Sequence, residues 1–243
     1  MYSLIKNETR MRRVFRKSVR ALPRDAAETR AAILEAAMRE FAEEGMAGAR
    51  MEAIADSAGV NKALLHYYFR DKERLYGAAL DHVFANLSQR MLEVLGRDLP
   101  PQKKIMAYAS AHFDFVAASP IYPRLVQREM MRAGRHGSPH MRRIAKRYLQ
   151  PVAAKVMALL REGMASGQFR QVDPLHFVLS LIAMNVFYFS SAAMIGLITG
   201  GNPLTAQRIA ERKAAVMDLV ATTLFLSKPG ETKNFGSARR DAR

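Results

Sequence analysis

Between Asn61 and Lys72 the chain gathers Lys62, His66, Tyr67, Tyr68, Arg70 and Lys72. Each of these side chains can donate a hydrogen bond to a phosphate oxygen or a base edge. Lys62 can reach a phosphate or the acceptor pair of a guanine, whereas Ala63 and Leu64 offer only apolar contact, such as to a thymine methyl. Catalytic spacings are poor by comparison. His136 and His140 lie four apart but in a Gly/Pro segment, and His112 and Asp114, two apart, do not face each other on a helix. No Gly-rich phosphate loop or nucleophile elbow occurs. The absence of cysteine excludes disulfides and thiolate metal sites. No catalytic residue, metal or cofactor is expected, and the chain does not read as an enzyme.

The elements that must hold these donors are legible around them. Met51, Ile54, Ala55 and Ala58 recur at helical spacing and can form one buried face. Gly59 can take the positive φ that stops a helix. Asn61 suits the N-cap of a second short helix, which is the favoured reading over a base contact. Val60 and Leu65 bury beneath that helix, and Leu65 and Phe69 lock it to an upstream one. Tyr68 can pack through its ring or reach a phosphate through its hydroxyl. Two short helices around a glycine turn, over 50–69, read as a helix-turn-helix whose second helix enters the DNA major groove.

Several motifs occur together in order: an amphipathic helix from Thr29 to Glu44 followed by Gly45, I-A-x-x-A-G-V from Ile54 to Val60, the Tyr68–Phe69 pair, and D-K-E-x-L from Asp71 to Leu75. The set resembles the DNA-binding domain of the tetracycline-repressor (TetR) family of bacterial transcriptional regulators. The resemblance implies an all-α fold, with an N-terminal three-helix DNA-binding domain and a C-terminal helical bundle for effector binding and dimerisation. It implies a homodimeric repressor released from a palindromic double-stranded DNA operator by a small-molecule effector. An effector-independent architectural DNA-binding protein is the alternative. Tyr67, Tyr68 and Lys72 match positions that often hold phosphates in the family. Where the family usually has a capping Thr, this chain has Ala49, followed by Arg50, which could take over the phosphate contact. The expected DNA-binding residues are therefore Arg50, Asn61, Lys62, Ala63, Leu64, His66, Tyr67, Tyr68 and Lys72. Glu52 would repel phosphate if it faced DNA.

The net charge is +16 over 243 residues, but its distribution matters more. Residues 1–24 carry eight basic groups against Glu8, whereas residues 25–72 carry six basic and nine acidic groups. The DNA-reading unit is thus acidic, and a basic arm precedes it. That arm either follows the DNA backbone or minor groove, or is a solvated tail. It lacks an apolar signal-peptide core, so a cytoplasmic location, on the nucleoid when DNA-bound, is expected. The domains expected are the arm 1–24, the DNA-binding domain 25–72, the effector and dimerisation domain 73–227, and a polar tail 228–243.

Helical patterns continue after Asp71: about 72–95, 102–118, a helix opened by Pro120 and Pro123 and ending near Gly134, one long helix to about Ser166, then 174–198 and 204–226. No Asp, Glu, Lys or Arg occurs between Pro174 and Gln207. A membrane-spanning helix, anchoring a regulator, is the rival reading of that stretch, since roughly 20 apolar residues can span a bilayer. Burial between core and partner subunit explains it better. Leu179, Ile182, Val186, Phe189, Val216, Val220 and Leu224 are the expected dimer contacts. Met106, Phe113, Met130, Met131, Tyr148, Met164, Met184, Phe187 and Tyr188 are candidates for the effector pocket, against ordinary core packing for each. Glu129, on the apolar side of its helix, either faces that pocket or forms a boundary salt bridge with a neighbouring arginine. Arg124, Arg128, Arg132 and Arg135 form a stripe on another face, expected to be solvated or to draw an anionic effector.

Overall fold

The computed structural model describes residues 25–119, 121–133 and 137–226. The expected arm and the polar tail lie outside these residues, as do Arg135 and His136. The described chain is helical, and its sole β feature is an isolated antiparallel bridge between Phe169 and Phe225. In order the helices are α1 (Ala26–Gly48), α2 (Met51–Ala58), α3 (Lys62–Phe69), α4 (Lys72–Leu95), α5 (Pro101–Ala118) and α6 (Ile121–Ala133). Then come α7 (Pro139–Ile144), a π-helical turn (Ala145–Leu149), α8 (Gln150–Ala165), α9 (Pro174–Ser190), α10 (Ala192–Thr199) and α11 (Ala206–Leu224).

The caps set these boundaries. Side-chain oxygens of Asp25, Asn61, Asp71, Ser138, Asp173 and Thr205 each accept a first-turn N–H of the helix that follows. Each cap satisfies a donor that the helix cannot, and each is worth roughly 1 kcal/mol. Gly45 sits inside α1 at φ +69, so regular helix stops where the glycine was expected to stop it. Gly59 takes φ +69 at the turn between α2 and α3.

Two expected helices are interrupted. The long helix to Ser166 contains the π-helical turn immediately before Pro151. Proline has no N–H for the carbonyl one turn back and crowds it, and a widened turn accommodates both effects. The expected helix 174–198 breaks at Ser191, where α9 and α10 meet at a bend of 74°. Ser190 Oγ donates to the Phe187 carbonyl beside the break, and the Gly196 Cα face packs against Gly201 and Pro203. Local hydroxyl bonding and small-residue packing favour a kink there. Among the described residues no single helix is long and apolar enough to cross a membrane.

In the N-terminal unit α1 packs on α2 and α4, and α2 on α3. Ile33, Ala37, Phe41, Ile54, Leu65 and Phe69 form its core. In the second unit α5 lies at the centre, packed on α4, α8, α9 and α11. The two units meet where α6 crosses α1 and where α7 meets α4. At the far end the Phe169 ring lies on Gly163, so close that a Cβ there would sit 2.1 Å from it. Gly163→Ala is expected to destabilise the fold by about 1–3 kcal/mol, the cost of overpacking. Thermal unfolding measures this, and an unchanged midpoint would refute it.

Candidate DNA-binding and effector sites

The start of α3 projects from the N-terminal unit. Asn61, Lys62, Ala63, His66 and Tyr67 are exposed, Leu64 and Tyr68 half-buried, and Leu65 and Phe69 buried. The Asn61 carboxamide accepts the Leu64 N–H at 2.7 Å, the capping role, which leaves its NH2 outward. Tyr67 is 79% exposed and its ring stands edge-on to Tyr68. His66 Nδ1 lies 2.7 Å from the Arg70 carbonyl. A carbonyl only accepts, so Nδ1 carries the proton of this bond and Nε2 is left free of it.

The cations are less free than the sequence suggests. Lys62 Nζ is hydrogen-bonded to the Glu52 carboxylate. That contact holds the Glu52 carboxyl below its usual range. Glu52 therefore stands next to the recognition helix as the partner of its first cation. Lys72 Nζ donates to the carbonyls of Ala47 and Ala49, at 3.2 and 3.0 Å. Carbonyls at a helix end lack intrahelical partners, and an ammonium satisfies them well. The expected phosphate ligand thus braces the α1–α2 turn. Ala49 is buried and α2 has no side-chain cap. Instead the Arg50 N–H donates to Glu40 Oε1 at 3.1 Å, so Glu40 takes up the acceptor role. The Arg50 residue itself is exposed.

Behind this unit a polar knot ties α4 to α6 and α7. Glu129, on α6, is fully buried. It accepts from the Tyr76 hydroxyl at 2.8 Å, from Arg132 Nε at 3.1 Å, and from Ser138 Oγ. Burial first, and the hydrogen bond to Glu129 second, push the Tyr76 phenol up, so it stays a donor. Ser138 is also the N-cap of α7. Glu73, in the first turn of α4, accepts from Arg132 at 3.4 Å and lies 2.6 Å from His140 Nε2. Arg143 pairs with Asp81 one face further along α4. Arg128 reaches the other way: its Nε donates to the Ala42 carbonyl at 2.8 Å, and its Nη2 to the Glu43 carbonyl. Glu129 thus gathers donors from α4, from its own helix and from the N-cap of α7. Arg132 is its arginine partner, but two neutral donors complete the site. Arg128 and Arg132, expected in a solvated stripe, face the N-terminal unit. Such cross-unit contacts leave no local period in the sequence.

The remaining candidates scatter. Phe113 and Tyr148 are buried, Met106, Met164, Met184 and Tyr188 half-buried, and Met130, Met131 and Phe187 are 64%, 78% and 56% exposed. A depression of about 440 Å³ between α9 and α11 is lined by Val172, Asp173, His176, Phe177, Ser180, Met184, Leu219, Val220 and Thr223, and takes only Met184 from the expected set. Of the expected dimer contacts, Leu179 is exposed and Ile182, Val186 and Phe189 are half-buried. Val216, Val220 and Leu224 are buried within the protomer, where α11 packs on α5. An apolar stripe marks a buried face without saying which body covers it. Only Val178, Leu181 and Asn185 of α9 are buried, and nothing on α10 is. A buried His112–Asn185 contact between α5 and α9 was not foreseen; a lone polar residue on each apolar face was its only signal. Among the described residues no group of three His, Asp or Glu could hold a metal.

Known proteins share this architecture. Residues 33–79 match the model of bacterial regulatory proteins of the tetR family, and residues 101–220 match a tetracyclin repressor-like C-terminal domain. The HTH-type transcriptional regulator RutR of Escherichia coli K12 is 30% identical over 169 residues, 70% of this chain and 77% of its own. The crystal structure of AibR with isovaleryl coenzyme A and operator DNA superposes with a TM-score of 0.63 at 17% identity, covering 79% of this chain and 97% of that one. FadR from Bacillus subtilis, in complex with stearoyl-CoA, gives 0.60 at 19% identity over 79% and 98%. The acidic helix-turn-helix head, the helical body behind it and these sequence matches converge: the chain belongs to the tetR family of bacterial transcriptional regulators.

Proposed function

We propose that the protein is a homodimeric repressor that leaves a palindromic operator when a small molecule binds its helical body. The observation that carries this reading is the knot on α4. Lys72 at the start of α4 braces the DNA-reading unit, while Glu73, Tyr76 and Asp81 bond to α6 and α7. A ligand that moves α6 or α7 therefore moves α3. Such coupling requires that the ligand prefer one of two arrangements, and DNA the other. The ligand and operator complexes of FadR and AibR support this reading. Dimerisation is supported by the uncovered apolar surface of α9 and α10, and by the need to seat two recognition helices about one helical turn of DNA apart.

On the operator, Arg50, Lys62, Ala63, His66, Tyr67 and Tyr68 face DNA, with Asn61 and Leu64 at the edge of the contact. Lys62 must exchange Glu52 for a phosphate or base. Footprinting on the bacterium's own genomic DNA should reveal a protected palindrome. Tyr67→Ala removes one hydrogen bond per subunit, about 1–3 kcal/mol per dimer, or roughly tenfold in affinity. Unchanged affinity would remove Tyr67 from the interface.

A further inference from the structure

Within the helical body, α5 and α9 bring two polar side chains face to face in an apolar interior. His112 is 2% exposed and Asn185 is fully buried. The Asn185 amide nitrogen lies 3.0 Å from His112 Nδ1, and Asn185 Oδ1 has no hydrogen-bond partner. Turning the amide over exchanges its atoms but still strands one of them. A stranded buried amide atom costs its full desolvation, whereas an apolar pair of the same shape would cost little. Native proteins leave few such groups, and each calls for a reason.

The surroundings suggest the reason. Tyr108 lies one turn before His112, and Phe189 one turn after Asn185. The Phe189 ring stands edge-on to Phe113, and the Tyr108 ring lies 6.4 Å from the His112 ring. Burial alone pushes His112 down to about 4, with no charged neighbour contributing, and pushes Tyr108 up to about 12. These groups are therefore neutral at physiological pH. The cations of α11 that reach these helices are engaged elsewhere, Lys213 with Asp114 and Arg212 with the Met184 carbonyl and the Tyr188 ring, so an ion placed against His112 would be desolvated with little to offset it.

We propose that His112 and Asn185 form the polar end of the effector site, and that the effector is an uncharged molecule presenting an N–H or O–H donor on an apolar, ring-sized body. Asn185 Oδ1 accepts that donor, and His112 holds the amide in orientation. The inference rests on the reading of the chain as ligand-responsive. It places the site between α5 and α9, apart from the open depression between α9 and α11.

Indole, 1-methylindole and benzoate separate the possibilities, titrated onto the full chain by ligand-observed NMR. Indole has the donor, 1-methylindole has nearly the same shape without it, and benzoate carries the charge. Indole is expected to bind in the millimolar range, and 1-methylindole about tenfold more weakly, as for one lost hydrogen bond. Asn185→Leu combined with His112→Phe, which replaces both polar partners, is expected to weaken indole about tenfold, to leave 1-methylindole unaffected, and to unfold at a temperature no lower than the parent. Benzoate should not bind. Equal binding of indole to parent and variant, preference for benzoate, binding of no probe, or a lower unfolding temperature for the variant would each overturn the proposal. If that double variant fails to fold, Asn185→Leu alone carries the binding comparison. Failure of the parent to bind an operator would instead defeat the regulator reading and leave the indole titration standing.

Discussion

Leu179→Asp combined with Phe187→Asp is expected to make the protein monomeric and to weaken operator binding by about 100-fold or more. Among the described residues, nine of the twelve exposed large apolar side chains lie between Leu175 and Leu226, on α9, α10 and α11 or flanking them. Leu197 and Ile198 are 87% and 75% exposed. A soluble monomer rarely leaves such a surface uncovered, so a second copy is the natural occupant. An isologous interface would place each aspartate against apolar surface in both subunits, where it has no partner. Leu179 and Phe187 project from α9 away from its buried stripe of Val178, Leu181 and Asn185, so the protomer should keep its fold. Separated subunits lose the effective concentration that lets the second recognition helix bind after the first. Sedimentation gives the mass, circular dichroism the helicity, and operator titration the affinity. A doubly substituted protein that remains a dimer would place the interface elsewhere.

Glu129→Ala is expected to cost roughly 3 kcal/mol of stability, the sum of stranding two buried donors. The Tyr76 hydroxyl and Ser138 Oγ lose their acceptor. The Arg132 contribution is discounted, because that side chain is 34% exposed and can turn to water. For a chain of this size the unfolding midpoint should fall by roughly 6–12 °C. Glu129→Gln keeps an acceptor and should lose much less. Because Ser138 also caps α7, the alanine variant should loosen the junction between α4 and α7, and with it the response of the operator complex to effector. A midpoint within a degree or so of the parent would show that Tyr76 and Ser138 find other partners.

These two sites differ in how far the sequence revealed them. The α3 helix was legible because its signals are local: Asn61 before the helix, Gly59 in the turn, Leu65 and Phe69 one turn apart. The start of α4 was legible from Asp71 and its end from Gly96. Lys72 was assigned by resemblance to a phosphate, yet its ammonium bonds carbonyls more than twenty residues upstream. Tyr76 and Glu129 are separated by 53 positions, and helical periodicity puts each on a buried face without announcing the pair. The acidic count of the head was visible, but its pairing of Glu52 with Lys62 was not. For α11 the spacing of Val216, Val220 and Leu224 identified a buried face, which in the protomer lies on α5; hydrophobic periodicity is blind to whose side chains lie opposite. The break at Ser191 was hidden by apolarity on both sides of it.

Arg128 has a consequence for engineering. Its guanidinium, contributed by the body, supplies the donors that Ala42 and Glu43 lack at the end of α1, and Gly45 leaves room for it, since a Cβ there would sit 2.9 Å from Nη1. The DNA-reading head is therefore not a detachable cassette. A chimera that grafts this head onto the body of another regulator inherits two uncapped carbonyls unless that body brings an arginine to the same place. Grafting a foreign head onto this body strands the arginine unless the head provides both the open helix end and a residue as small as glycine beside it.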